Sequence, residues 1–165
     1  MIKVKLSNWK SDHQMDEAYK ALRTNIQFCG ADKKVIALTS CTPNEGKSSV
    51  AFNLAASLAE SGKSVLLIDA DLRKSVLMGR VRVDQEVMGL AHYLSKQAKL
   101  SDVICATTLP KFHIIFSGIV PPNPAELLGN RLFKDMIRVV RDVYDYVIVD
   151  TPPLGLIIDS AIIAD

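Results

Sequence analysis

The stretch Lys34-Val35-Ile36-Ala37-Leu38-Thr39-Ser40-Cys41-Thr42-Pro43-Asn44-Glu45-Gly46-Lys47-Ser48-Ser49 runs from a short β-branched apolar segment into a glycine-lysine-serine turn. The residues that follow, Ser48 to Ser61, place Val50, Ala51, Leu54, Ala55 and Leu58 on one helical face. Lys34 to Ser40 therefore reads as a buried strand, and the loop sits between strand and helix, the context a phosphate-binding loop requires. Backbone N–H groups at the loop and the helix start present partial positive charge to an anion. Lys47 adds a full charge and Ser48 offers a hydroxyl to Mg²⁺. A nucleoside triphosphate is the implied ligand, with Thr42, Pro43, Asn44, Glu45, Gly46, Lys47, Ser48 and Ser49 as its expected contacts. The strict loop pattern opens with a glycine where this chain has Cys41. Asn44 stands where a glycine would be unsurprising, and asparagine tolerates the positive φ such a turn needs.

Two further strands end in chemistry. Ser64 to Asp69 is apolar until it delivers Asp69, Asp71 and Arg73 at its C-terminal end, the edge of an open α/β sheet where ligands bind. Carboxylates there can hold hydrated Mg²⁺ or take a proton from an attacking hydroxyl, and Arg73 can neutralise a carboxylate or a phosphate. Tyr146 to Asp150 is an apolar strand closed by Asp150 and the stiff turn Thr151-Pro152-Pro153. It matches a Walker B strand, whose aspartate lies beside the metal, usually through water. Ser48, Asp69 and Asp150 are thus the expected metal residues, and Lys47, Asp69 and Asp71 the expected catalytic ones.

Around these segments the pattern alternates. A helix is expected at about 12–28, opened by a capping box at Ser11 and carrying Met15, Tyr19, Leu22 and Ile26 at helical spacing. Phe112 to Phe116 is a third strand in chain order, and helices are expected near Leu90 to Ser95 and Arg131 to Val143. Asn123 followed by Pro124 reads as an N-cap with proline in the first helical position. Such alternation predicts an α/β fold with a mostly parallel sheet flanked by helices.

The whole chain has 165 residues and a net charge of +2, with 48% hydrophobic and 23% charged residues. That is a packed single domain, and it argues against a disordered chain and against a nucleic-acid binder, which needs a local excess of basic charge. No apolar run approaches the roughly 20 residues that span a bilayer, and no signal peptide is recognisable. Three cysteines without Cys-x-x-Cys spacing suggest neither disulfides nor zinc, and His13, His92 and His113 lack ligand spacing. A cytoplasmic location is expected.

From about Met15 onward the chain resembles the bacterial tyrosine kinases (BY-kinases) that regulate capsular and exopolysaccharide synthesis, within the MinD/ParA-like P-loop ATPases. The resemblance rests on five ordered segments: Glu17 to Phe28, Pro43-Asn44-Glu45-Gly46-Lys47-Ser48, Leu67 to Arg73, Pro121 to Leu128, and Val149-Asp150-Thr151-Pro152-Pro153. It implies a P-loop NTPase fold, ATP and Mg²⁺ as cofactors, and phosphorylation of tyrosine-containing proteins. Lys47 would act on the β- and γ-phosphates, Ser48 and Asp150 at Mg²⁺, and Asp69 and Asp71 as a second acidic pair. MinD/ParA relatives carry a signature lysine at the second loop position, where this chain has Thr42, which favours the kinase branch.

Glu17, Lys20 and Arg23 are similar to the family's Glu-x-x-Arg-x-x-Arg oligomerisation motif, with Lys20 in place of the first arginine. The resemblance implies a self-assembled ring through this helix. It also implies a separate membrane protein of the chain-length-regulator type that activates the kinase and recruits it to the inner face of the membrane. The family continues beyond the point matching Asp165 with further strands and a tyrosine-rich tail, so a nucleotide-binding core over 34–165 that is incomplete at its C-terminus, with an unpaired sheet edge, is expected. The alternatives are a MinD/ParA-like ATPase switch without kinase activity and an inactive remnant or scaffold.

Overall fold

The computed structural model describes residues 1–6, 13–82 and 85–153. Among these residues seven strands form one sheet: β1 (Lys3–Leu6), β2 (Val35–Leu38), β3 (Val65–Asp69), β4 (Val81–Arg82), β5 (Ile104–Thr107), β6 (Phe112–Ile115) and β7 (Tyr146–Asp150). Their order across it is β2-β7-β3-β6-β5-β1-β4. The four pairings β2·β7, β7·β3, β3·β6 and β5·β1 are parallel, and only β5·β6 and β1·β4 are antiparallel. The mostly parallel α/β sheet expected from the sequence is present.

Among the described residues six helices accompany it: α1 (His13–Phe28), α2 (Lys47–Glu60), α3 (Leu90–Leu94), α4 (Leu100–Val103), α5 (Pro124–Gly129) and α6 (Arg131–Val143). The continuous apolar run of β3 is explained by burial on both sides. Val65 and Leu67 join the core beneath α1 and α2, whereas Leu66 and Ile68 face Phe133, Met136 and Val140 of α6. On the α2 side Phe52 meets Phe112 edge to face, with centroids 5.6 Å apart. Pro124 occupies the first turn of α5 as expected; Asn123 flanks it, and its amide reaches Glu126 Oε2 at 2.8 Å. The proposed capping box at Ser11 and Asp12 lies outside the described residues.

Strands β1, β4 and β5 have no counterpart in the sequence reading. Lys3–Leu6 alternates charged and apolar residues, and it becomes a strand through distant partners, Lys3 opposite Ala106 of β5 and Lys5 opposite Arg82 of β4. β2 lies at one end of the sheet with a single neighbour among the described residues.

Candidate functional site

Three strand ends converge at one edge. Leu38 of β2 is in register with Asp150 of β7, and Asp150 with Asp69 of β3. The loop leaving β2 therefore begins beside two carboxylates. It continues into α2 through Asn44 at φ 66° and Gly46 at φ 85°, the left-handed geometry expected at Asn44. Thr151 ties the neighbouring strand ends together, donating its N–H (3.1 Å) and its hydroxyl (2.9 Å) to the Leu38 carbonyl.

Lys47, the first residue of α2, donates to Asp150 Oδ1 and lies 3.5 Å from Ser48 Oγ. The pair is deeply buried, the two side chains 8% and 1% exposed. Burial pushes the Asp150 carboxyl above its ordinary range, against the pull of the Lys47 ammonium. Next to it Asp69 is fully buried, and burial, reinforced by the charges of Asp150 and Asp71, pushes its carboxyl up to about 7. Ser75 opposes that rise by donating its hydroxyl to Asp69 Oδ2.

Among the described residues, Asp69 Oδ1 and Asp150 Oδ2 are buried without a hydrogen-bond partner. Buried carboxylate oxygens are otherwise satisfied, so two orphans on adjacent strand ends are acceptors waiting for a cation or its water shell. With the Ser48 hydroxyl close by, the donor set suits Mg²⁺, a hard cation that keeps several waters and takes few protein oxygens. Among the described residues no group of three or more His, Cys, Asp or Glu forms an all-protein metal cage.

A cleft of about 310 Å³ lies over these groups. Pro43, Asn44, Glu45, Gly46, Lys47, Ser48 and Ser49 line it, and Asp71 and Arg73 face them across it. Asp69 lies beneath. Asp71 accepts the backbone N–H groups of Arg73 (3.3 Å) and Lys74 (3.0 Å) on Oδ1, so it shapes the turn that presents Arg73. Thr42 is outside the lining: its hydroxyl donates to Glu45 Oε1 at 2.6 Å. Glu45 also accepts the Cys41 N–H at 3.2 Å, and the Thr42 hydrogen bond holds its carboxyl below the usual range. The loop is thus braced by its own carboxylate.

Lys74 and Val76 also line the cleft, and two further side chains that bond to the site were not singled out from the sequence. Ser75 is the Asp69 partner just described. Arg80, at the end of a 3-10 turn (Leu77–Arg80), donates to Ser49 Oγ and lies over the Phe52 ring, 5.6 Å from its centroid. Neither belongs to a spacing pattern, since each is defined by a partner in another element.

The N-terminal helix shows a different division of labour. Lys20 pairs with Glu17 at 2.8 Å on the exposed side, whereas Arg23 turns inward and donates to the Ser57 carbonyl of α2 at 2.8 Å.

A mostly parallel sheet whose strand ends bring a glycine-lysine-serine loop against two aspartates defines a P-loop nucleotide-binding protein. The AAA domain family matches residues 33–165. The chain is 46% identical over 159 residues to tyrosine-protein kinase CpsD of Streptococcus agalactiae serotype III, a match covering 96% of this chain and 68% of that protein. The kinase domain of the Escherichia coli tyrosine kinase ETK superposes with a TM-score of 0.83 at 33% identity, over 98% of this chain and 72% of that one. The septum site-determining protein MinD of Pyrococcus horikoshii, solved with Mg-ADP, reaches 0.64 at 28% identity, over 78% of this chain and 52% of that one. The chain belongs to the bacterial tyrosine kinases, ATP-dependent protein-tyrosine kinases on a MinD-like P-loop fold. It spans about two thirds of the length of CpsD.

Proposed function

We propose that this chain transfers the γ-phosphoryl group of ATP to tyrosine hydroxyls of proteins, as part of the control of capsular or exopolysaccharide synthesis. The observation that carries the reading is the register of Asp69 with Asp150, two buried carboxylates each keeping an unpartnered oxygen, with Lys47 paired to Asp150. The similarity to CpsD and ETK over nearly the whole chain supports it.

In this reading the loop N–H groups and Lys47 grip the β- and γ-phosphates, and Arg73 faces them across the cleft. Ser48, Asp150 and Asp69 would hold Mg²⁺, which would supply charge neutralisation to the transferring phosphoryl group; the Mg-ADP bound by the similar MinD supports the choice of ion. Asp71 lines the cleft and Asp69 does not, so Asp71 is the carboxylate an acceptor tyrosine meets. It takes the phenolic proton as the tyrosine oxygen bonds to the γ-phosphorus and the bond to the β–γ bridging oxygen breaks, releasing ADP. Most of the acceleration comes from alignment and electrostatics, with no covalent enzyme intermediate.

The partners follow the same reading: a second copy of the chain, assembled through the exposed Glu17 and Lys20 of α1 while Arg23 braces α1 against α2, and a membrane-bound activator of the chain-length-regulator type. Among the described residues no helix is long and apolar enough to cross a membrane, and a cytoplasmic kinase recruited to the membrane by that activator is the corresponding location.

Incubating the chain with Mg-ATP and a peptide bearing several tyrosines tests the activity. Phosphotyrosine is the expected product. Phosphate release without phosphotyrosine would assign a nucleotide switch, and neither product would assign a scaffold.

A further inference from the structure

Ser75 lies two residues beyond Arg73, half-buried against the end of β3. Its oxygen makes two hydrogen bonds of opposite sense. It accepts the backbone N–H of Leu77 at 3.3 Å and donates its own proton to Asp69 Oδ2. A serine hydroxyl has one proton to give. With the Leu77 amide occupying a lone pair, that proton is committed to the carboxylate.

The segment carrying Ser75 is pinned on its far side. Leu77 is 1% exposed within the core under α2, and Arg80 clamps onto Ser49 and the Phe52 ring of α2. On its near side the Asp71 carboxylate closes the turn over Arg73 and Lys74. Ser75 is therefore set at a defined place between two anchors, one on the acidic strand and one on the phosphate-binding helix.

Asp69 responds to this placement through its two oxygens. One takes the Ser75 hydroxyl, and the other makes no hydrogen bond among the described residues, the Ser117 backbone exerting only the weakest pull on the carboxylate. The geometry points to Ser75 as a positioning residue: by occupying Oδ2 it fixes the rotation of the buried carboxylate and leaves Oδ1 as the oxygen presented to a divalent cation's water shell. This rests on the Mg²⁺ and ATP reading above. It assigns to Ser75 a role in how the acidic wall meets the metal, a role ordinary core packing would not require. Partners of metal-facing ligands act this way in general, and losing one lowers metal affinity or activity by roughly 10- to 100-fold.

The test uses the 165-residue chain and its Ser75→Ala, Ser75→Thr and Ser75→Cys variants. A fluorescent ATP analogue is titrated in EDTA and in Mg²⁺, and tyrosine phosphorylation of a peptide is followed separately. In Ser75→Ala the affinity in EDTA stays within about twofold, the extra affinity conferred by Mg²⁺ falls about tenfold, and kcat falls by a similar factor with little change in KM for the peptide. Ser75→Thr, which keeps the hydroxyl, restores both. Ser75→Cys keeps the shape but donates weakly, and it carries the same expectation if the alanine variant does not fold.

An unchanged Mg²⁺-dependent gain in the alanine or cysteine variant overturns the assignment. So does an equal loss in EDTA, which would mark a structural residue. A wild-type chain that shows the Mg²⁺-dependent gain, loses it in Ser75→Ala and yet forms no phosphotyrosine overturns the kinase reading and leaves the role of Ser75 standing.

Discussion

β3 and β7 are buried at every one of their five positions, whereas β2, which launches the phosphate loop, alternates exposed and half-buried residues with Val35 36% exposed. All three strands serve the same edge. The contrast divides the site into a rigid acidic wall, packed on both faces, and a more open phosphate-binding side that holds its shape by local bonds. On the wall, position is enforced by the core and the expense is electrostatic: two carboxylates out of water, each with an oxygen unsatisfied. On the loop side, the Glu45 carboxylate, the Thr42 hydroxyl and two left-handed residues do the shaping within a few residues of sequence.

The sharpest way to break this division is Asp69→Asn. Its carboxyl is raised from 3.8 to about 7 by burial, so the native state holds its proton more tightly than the unfolded chain does. The stability contributed by the protonated form is complete below about pH 4 and is lost as pH rises through about 7. Above that, the buried carboxylate costs on the order of 2–4 kcal/mol. Asp69→Asn therefore stabilises the chain at pH 8 in EDTA by about that amount and flattens its stability profile between pH 4 and 7, while phosphotyrosine formation falls at least about hundredfold. Urea unfolding across that pH range decides it. A variant less stable than wild type at pH 8 contradicts the picture of a strained acidic wall.

Glu45→Ala probes the opposite side. It removes the acceptor for Cys41 N–H and Thr42 while leaving the wall intact. ATP affinity is expected to weaken about three- to tenfold, in line with one or two lost hydrogen bonds, and stability to change by no more than about 0.5 kcal/mol because the residue is exposed. Calorimetric titration and thermal melts read the two quantities. A loss of stability with ATP affinity preserved would show that the loop depends on the core after all.

The smallest effect belongs to Arg23, whose inward bond to Ser57 makes it a brace between α1 and α2. Arg23→Ala is expected to cost about 1 kcal/mol in unfolding and to leave the oligomer distribution in light scattering as it was. If instead the distribution collapses with stability intact, Arg23 serves a neighbouring copy more than its own α2.

Much of the wall is legible in the sequence. A run such as Val65-Leu66-Leu67-Ile68-Asp69 can be apolar on both faces only inside a covered sheet, and its terminal acid then falls on the ligand edge. The left-handed residue Asn44 and the proline-led start of α5 were also readable, because each is a local backbone preference. Strands β1 and β5 were not. Lys3-Val4-Lys5-Leu6 is too short and too charged to announce itself, and it exists as a strand through a partner far along the chain. Arg23 was recognisable as part of a motif, but which way it turns depends on where α2 lies.

Residue types and short-range spacing are enough to specify the phosphate loop, the acidic strand ends and the alternation of strand and helix, because backbone propensity and burial periodicity act over a few residues. The site adds relations that no local preference contains: Asp69 set against Asp150 across two strands, Ser75 turned back onto Asp69, and Arg80 reaching Ser49 in another element. Those relations depend on strand order and register, which follow from packing the whole sheet at once. They decide which carboxylate oxygen remains open, and with it the chemistry the edge can support.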